Sequence, residues 1–351
     1  MSQPALPESE RSLPFVGLFV AAWLAHTSFV YIGADNTLLS VYQFRQLQTA
    51  MSVLFYPVDG FTLAYETPLF GPPWSAPLEF PLYQTCVVGW MKLTGHDIEF
   101  SGRVVSWLWF QALLPAVFLL LGSWSVPRRY RWVSLALLVT SPVYIFFSRS
   151  FLIESTALCS ALWFTAAACR WISFGQRGWL ITALIFGAFG AATKPTTMVP
   201  CSVALGLYSM RGMMPFRRTG SEKIRQVLKR TLAVFSLPLI AGFSWQHFTS
   251  RIRALNPETG FLDVMFGYFS FGDLTQRLSL EYWTKTTEIW SSGILSQAGL
   301  VVFLLLFLIV SAGQRWIAAV MGISFLSGQL VFSNLYLVHD YYFYATGVFL
   351  V

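Results

Sequence analysis

Charged side chains are scarce in this chain. Asp, Glu, Lys and Arg make up 11% of its 351 residues and hydrophobic residues 55%, whereas a water-soluble domain of this size carries about a quarter charged residues. So few polar groups cannot cover a soluble globule, so the composition excludes one and predicts a polytopic membrane protein. Cysteine is scarce too: Cys86, Cys159, Cys169 and Cys201 show no C-x-x-C spacing. That excludes a disulfide framework and a zinc–thiolate site, and leaves three of the four as small hydrophobes in apolar segments. Signs of a cleavable leader are missing, because Glu8 and Glu10 outnumber Arg11 before a full-length apolar run.

What is abundant is membrane-length apolar sequence. A span needs about 20 residues, and segments 14–33, 104–122, 130–148, 151–173, 178–193, 196–210, 231–249, 296–313, 316–334 and 341–351 are candidates. The expected fold class is therefore all-α, with about ten transmembrane helices, the last incomplete because the chain stops at Val351 inside an apolar run. A single transmembrane domain over 1–351, truncated at its C-terminus, is the expected organisation.

The net charge of +7 does not point to nucleic acid. Arg211, Arg217, Arg218, Lys223, Arg225, Lys229 and Arg230 crowd one loop, as the positive-inside rule expects of a cytoplasmic segment. Arg128, Arg129 and Arg131, then Arg170 and Arg177, and finally Arg315 mark alternate loops on the same side. The N-terminus is expected there as well. The other side then receives 34–103, the turns near 149–154, 194–195 and 335–340, and the loop 250–295.

The long loop 34–103 collects six of the sixteen acidic residues, Asp35, Asp59, Glu66, Glu79, Asp97 and Glu99. Within it Val41, Phe44, Leu47, Met51, Leu54 and Phe55 recur at helical spacing around Gln43, Arg45, Gln46 and Gln48. That predicts an amphipathic helix, either lying in the membrane interface or packed on the spans. Beyond it, Pro57, Pro68, Pro72, Pro73, Pro77 and Pro81 forbid long regular structure.

Five groups have residue types suited to chemistry. Glu79, between Pro77 and Pro81 in PLEFPLYQ, suits a general base or a metal ligand; the plainer reading is a solvated carboxylate at a helix start. Lys194 ends an apolar run before Pro195. A cation at that depth needs a partner, for which a lipid phosphate is the obvious anion, unless it snorkels to the headgroups. Glu154, five residues after Arg149, holds a site or merely pairs with that arginine. Arg45 has the fork that fits phosphate or carboxylate. His339, Asp340 and Tyr341 in NLYLVHDYYFY could orient a sugar, coordinate a metal or mark an aromatic belt.

Taken in order, RQLQTA, ETPLFGPPWSAPLEFPLYQ, GRVVS, the SP…SR…E turn, TKP and HDYY resemble polyprenyl-phosphate-dependent glycosyltransferases of the GT-C fold. The branch is that of the dolichyl-phosphate-mannose protein mannosyltransferases and the bacterial aminoarabinose transferase. The resemblance covers nearly the whole chain. It implies a polyprenyl-phosphate-linked sugar as donor, a lipid, polysaccharide or protein as acceptor, and a bacterial inner membrane location with an extracytoplasmic active site. It matches Glu79 to an essential first-loop glutamate, Glu154 to an acidic second-loop position and Lys194 to a donor-phosphate lysine. It departs at Gln48, where many relatives carry an acid.

The expected catalytic carboxylates are thus Glu79, Glu66 and Asp35, and the expected phosphate-binding cations Lys194, Arg45 and Arg149. Glu154, His339, Asp340 and Tyr341 are assigned to sugar or metal, with a divalent cation left open and no other cofactor expected. Transport or flipping of a lipid-linked saccharide is the alternative, along with a non-catalytic membrane subunit. A transporter would show mid-span charges and two related halves, and neither stands out.

Overall fold

The computed structural model describes residues 8–34, 37–39, 41–59, 61–213, 221–294, 296, 298–299, 301 and 311–351. Among these the regular structure is helical: α1 (Glu8–Ile32), α2 (Gln43–Asp59), α3 (Leu82–Thr94), α4 (Ile98–Ser123), α5 (Arg128–Thr140) and α6 (Pro142–Phe147) come first. Then follow α7 (Glu154–Phe174), α8 (Arg177–Thr193), α9 (Pro195–Met213), α10 (Ser221–Arg253), α11 (Gly260–Phe271), α12 (Leu274–Leu278) and α13 (Leu280–Gly293). Three more, α14 (Ala312–Val331), α15 (Ser333–Val338) and α16 (Tyr342–Gly347), end the chain.

Four of the described helices are long and apolar enough to cross a membrane: Ser12–Ile32 within α1, and the whole of α4, α7 and α10. Helix α8 is apolar but shorter, at 17 residues. The expected segment 130–148 is divided, because Pro142 starts a new helix directly after α5 ends at Thr140. The expected segment 341–351 holds only the six-residue α16, and most of 296–313 lies outside the described residues.

Helix α7 is the buried axis. Ala157, Leu158, Cys159, Ser160, Ala161 and Leu162 are all fully buried, as are Ala166, Ala167, Ala168 and Cys169. A helix apolar on every side must be enclosed by others, and its small residues let neighbours approach closely. Gly190 of α8 shows how closely: a Cβ there would lie 2.5 Å from Met198 Sδ and 3.5 Å from Ser160 Cβ. The periphery is the reverse. Leu18, Leu24 and Phe29 on α1 and Leu232, Leu239, Ile240 and Phe243 on α10 are exposed, a surface suited to lipid rather than water.

Helix α2 forms where the spacing predicts it, with its polar side inward. Gln46, Gln48, Thr49 and Ser52 are buried, whereas Val41, Phe44 and Leu54 are exposed. Buried amides must be hydrogen-bonded. Gln46 accepts from the Phe151 N–H at 3.0 Å and donates to the Val41 carbonyl at 2.8 Å. The helix is thereby tied to the turn that leads into α7. Beneath the loop, Val53, Tyr56, Tyr65, Tyr83, Val87, Val105 and Phe151 form a second, smaller core.

Candidate active site at the open end of a helix hairpin

The site starts with the α7–α8 hairpin. Helix α7 ends at Gly175, whose φ of 70° is the left-handed cap that glycine adopts without steric cost. The chain then returns as α8, so the C-terminus of α8 lies beside the N-terminus of α7. Lys194 caps α8 and Glu154 opens α7. Each charge sits where its helix dipole favours it, cation at a C-terminus and anion at an N-terminus.

Lys194 Nζ donates to both carboxylate oxygens of Glu154. The pair is buried, with 8% of Lys194 and 2% of Glu154 exposed. The ammonium also lies over two rings, 4.9 Å from the centre of Tyr341 and 4.4 Å from that of Tyr342. Such a cation–π arrangement stabilises a cation that burial would otherwise disfavour. The protein anion paired with Lys194 is thus the Glu154 carboxylate. Glu154 correspondingly pairs with Lys194 across the hairpin, not with nearby Arg149.

The second charge pair lies in the first loop. Arg45 Nη2 is 3.5 Å from Glu79 Oε2, and Arg45 Nη1 donates to Gln48 Oε1 at 2.5 Å. Gln84 Nε2, one turn into α3, donates to Glu79 Oε1 at 3.4 Å. Glu79 is 7% exposed, so it is not the solvated helix-start carboxylate of the plainer reading. Burial opposes the charge on Arg45, but Glu79, then Tyr341, Tyr342 and Glu154, outweigh it and raise the arginine's pKa. Both pairs are close enough for the charges of Arg45 and Glu79 to act on Lys194.

The turn between α15 and α16 closes the cluster. Asp340 Oδ2 accepts from the Tyr42 hydroxyl, while its Oδ1 is buried without a hydrogen-bond partner. Tyr42 occupies the left-handed region at φ 63°, rare for a non-glycine residue, and its ring packs against Phe146, Phe147 and Tyr341. Burial and the Asp340 carboxylate both raise the Tyr42 pKa. His339 stacks on Tyr341 with ring centres 5.0 Å apart. Its pKa is lowered by burial first, then by the charges of Lys194 and Arg45, against an opposing pull from Asp340.

Of the expected site residues, Glu79, Arg45, Lys194, Glu154, His339, Asp340 and Tyr341 come together. Glu66 does not join them. It lies in extended backbone between Tyr65 and Thr67, both buried inward, and alternation turns its side chain the other way. Arg149 is engaged elsewhere: its Nη1 donates to the Phe29 carbonyl at 2.8 Å at the end of α1. Asp35 lies outside the described residues. Among the described residues, no three His, Cys, Asp or Glu side chains gather as a metal-ligand set.

Four further residues complete the site. Gln48 follows Arg45 by three positions, a spacing that places both on one helix face. Tyr342 adjoins Tyr341. Gln84 and Tyr42 give no sequence signal, since each is brought in by tertiary packing. The chain matches neither a known family model nor any curated protein sequence.

Proposed function

We propose that this chain is a membrane glycosyltransferase that moves a sugar from a polyprenyl-phosphate donor to a hydroxyl or amine acceptor on the extracytoplasmic face. The observation that carries this reading is the gathering of two cations, two carboxylates and two tyrosines from five separate stretches of sequence. Arg45, Glu79, Glu154, Lys194, Tyr341 and Tyr342 meet at one end of the α7–α8 hairpin. The motif order in the sequence supports the same reading. It goes with about ten spans, the basic loops on the cytoplasmic side of a bacterial inner membrane, and the site on the opposite face.

In this reaction the acceptor oxygen or nitrogen attacks the anomeric carbon as the bond from that carbon to the phosphate oxygen breaks. The acceptor proton passes to the Glu79 carboxylate, and the electron pair leaves on polyprenyl phosphate. Glu79 serves as general base. Lys194 and Arg45 stabilise the charge gathering on the phosphate. An ammonium has three donors, of which two are directed at Glu154, and a guanidinium has five, of which two are directed at Gln48 and Glu79. Tyr341 and Tyr342 hold the Lys194 ammonium over their ring faces.

Purified protein incubated with radiolabelled polyprenyl-phosphate sugar and a mixed acceptor extract tests this proposal. Label appearing in acceptor supports it. Label that crosses a liposome bilayer while remaining on the lipid supports transport instead, and no movement of label supports a non-catalytic subunit.

A further inference from the structure

Glu79 is anchored through its backbone as well as its carboxylate. The stretch Pro77–Pro81 has prolines at both ends, which lack N–H donors and interrupt regular structure. Its remaining polar backbone groups need partners from elsewhere. Arg253, at the end of α10 and 1% exposed, donates from Nη1 to the Pro77 carbonyl at 2.8 Å. Trp245 Nε1, two turns earlier on α10, donates to the Leu78 carbonyl at 3.4 Å. The buried Tyr65 hydroxyl accepts from the Leu78 N–H at 3.1 Å and donates to the Glu79 carbonyl at 2.9 Å. Finally the Phe80 N–H donates to the Ala192 carbonyl at 3.2 Å, two residues before Lys194.

Three of the five bonds, at the Leu78 carbonyl, the Glu79 carbonyl and the Phe80 N–H, hold the two peptide groups flanking the Glu79 Cα, and so the direction in which its side chain leaves the backbone. The other two hold the Pro77–Leu78 peptide before them. One of them sets the register between Glu79 and the Lys194 turn. The Tyr65 hydroxyl is central, because it bridges the N–H before Glu79 and the carbonyl of Glu79 itself. The same segment also packs Phe80 against Phe189 and Trp245.

We infer that Tyr65 and Arg253 are positioning residues that aim the Glu79 carboxylate at the acceptor, an inference that rests on the reading of Glu79 as the general base. Neither side chain touches substrate. Tyr65 fixes the peptide group after the Glu79 Cα, and Arg253 fixes the Pro77–Leu78 peptide one residue before it; a displacement of about 1 Å at a reacting group lowers rates by up to about 100-fold.

The test is Tyr65→Phe, made alone and with Glu79→Gln, read by transfer kinetics and by hydrogen–deuterium exchange. Expected for Tyr65→Phe is at least about a tenfold fall in kcat, with donor KM unchanged and no further loss in the Glu79→Gln background. Amide exchange should quicken within residues 76–81 and not elsewhere in the first loop. Arg253→Lys, which keeps the charge but loses the planar fork, should repeat both results if Tyr65→Phe folds poorly. The inference is overturned if Tyr65→Phe retains kcat, lowers it equally in both backgrounds, or leaves exchange of 76–81 unaltered. Full activity in Glu79→Gln alone would instead refute the reading of Glu79, and exchange would then decide whether Tyr65 and Arg253 pin the segment.

Discussion

Lys194 and Glu154 close the open end of the α7–α8 hairpin, each at the helix terminus whose dipole suits its charge, and neither is exposed beyond 8%. Burying one without the other leaves an uncompensated charge, which costs about 3–5 kcal/mol. Glu154→Ala should therefore destabilise the protein by about that amount, and Lys194→Ala similarly. Replacing both, as Glu154→Leu with Lys194→Met, should recover most of the loss. Thermal or denaturant unfolding in detergent micelles measures all three.

Arg45 sits between Gln48 and Glu79 with one guanidinium nitrogen directed at each. Gln48→Glu would place a second carboxylate where the amide oxygen already accepts, and should be tolerated with transfer activity retained or raised. Gln48→Ala removes one of the two groups that orient Arg45. It should reduce transfer by about tenfold, the value of roughly 1.4 kcal/mol in the barrier. Side-by-side turnover numbers decide between these expectations.

How far the sequence foretold this site follows from the kind of signal each residue leaves. Glu79, Lys194, Arg45 and the HDYY turn were legible one at a time, because a lone charge in apolar surroundings is unusual wherever it falls. Helix α2 was legible from its 3.6-residue period, although its polar side turned inward toward other polar groups. The pairing of Lys194 with Glu154 was not legible, since it depends on two helices of 21 and 17 residues ending side by side. Arg149 has the residue type of a phosphate ligand, but packing assigns it to the Phe29 carbonyl. Glu66 fails for a local reason that only backbone conformation reveals. The division of 130–148 at Ser141 was foreshadowed by Pro142, which a hydropathy window averages away.

His339 carries a pH dependence whose sign is fixed by its surroundings. Burial and the charges of Lys194 and Arg45 hold its folded pKa below the 6.5 of an unperturbed imidazole. The unfolded chain therefore takes up a proton first as pH falls. Its contribution to stability is complete above pH 6.5 and is lost as pH drops from there through the lowered folded value. His339→Gln should flatten the decline in melting temperature below pH 6.5, with the wild type and variant converging in slope above it.

Tyr42 supplies the hydrogen bond to Asp340, whose other oxygen is buried without a hydrogen-bond partner. Tyr42→Phe keeps the ring against Phe146 and Phe147 but leaves the carboxylate without that donor, at a cost of about 1–3 kcal/mol. Asp340→Asn in the same background should restore part of the loss, because the amide carries no charge to leave uncompensated. Unfolding midpoints for the single and double variants check the coupling.

The most direct test of the account separates the two halves of the site in a transfer assay with a polyprenyl-phosphate sugar donor. Glu79→Gln should lower kcat by at least about 100-fold while donor KM is little changed, as expected for loss of a general base. Lys194→Ala, judged folded by its melting transition, should raise donor KM and lower kcat together. Wild-type turnover in Glu79→Gln, or an unaltered donor KM and kcat in Lys194→Ala, would contradict it.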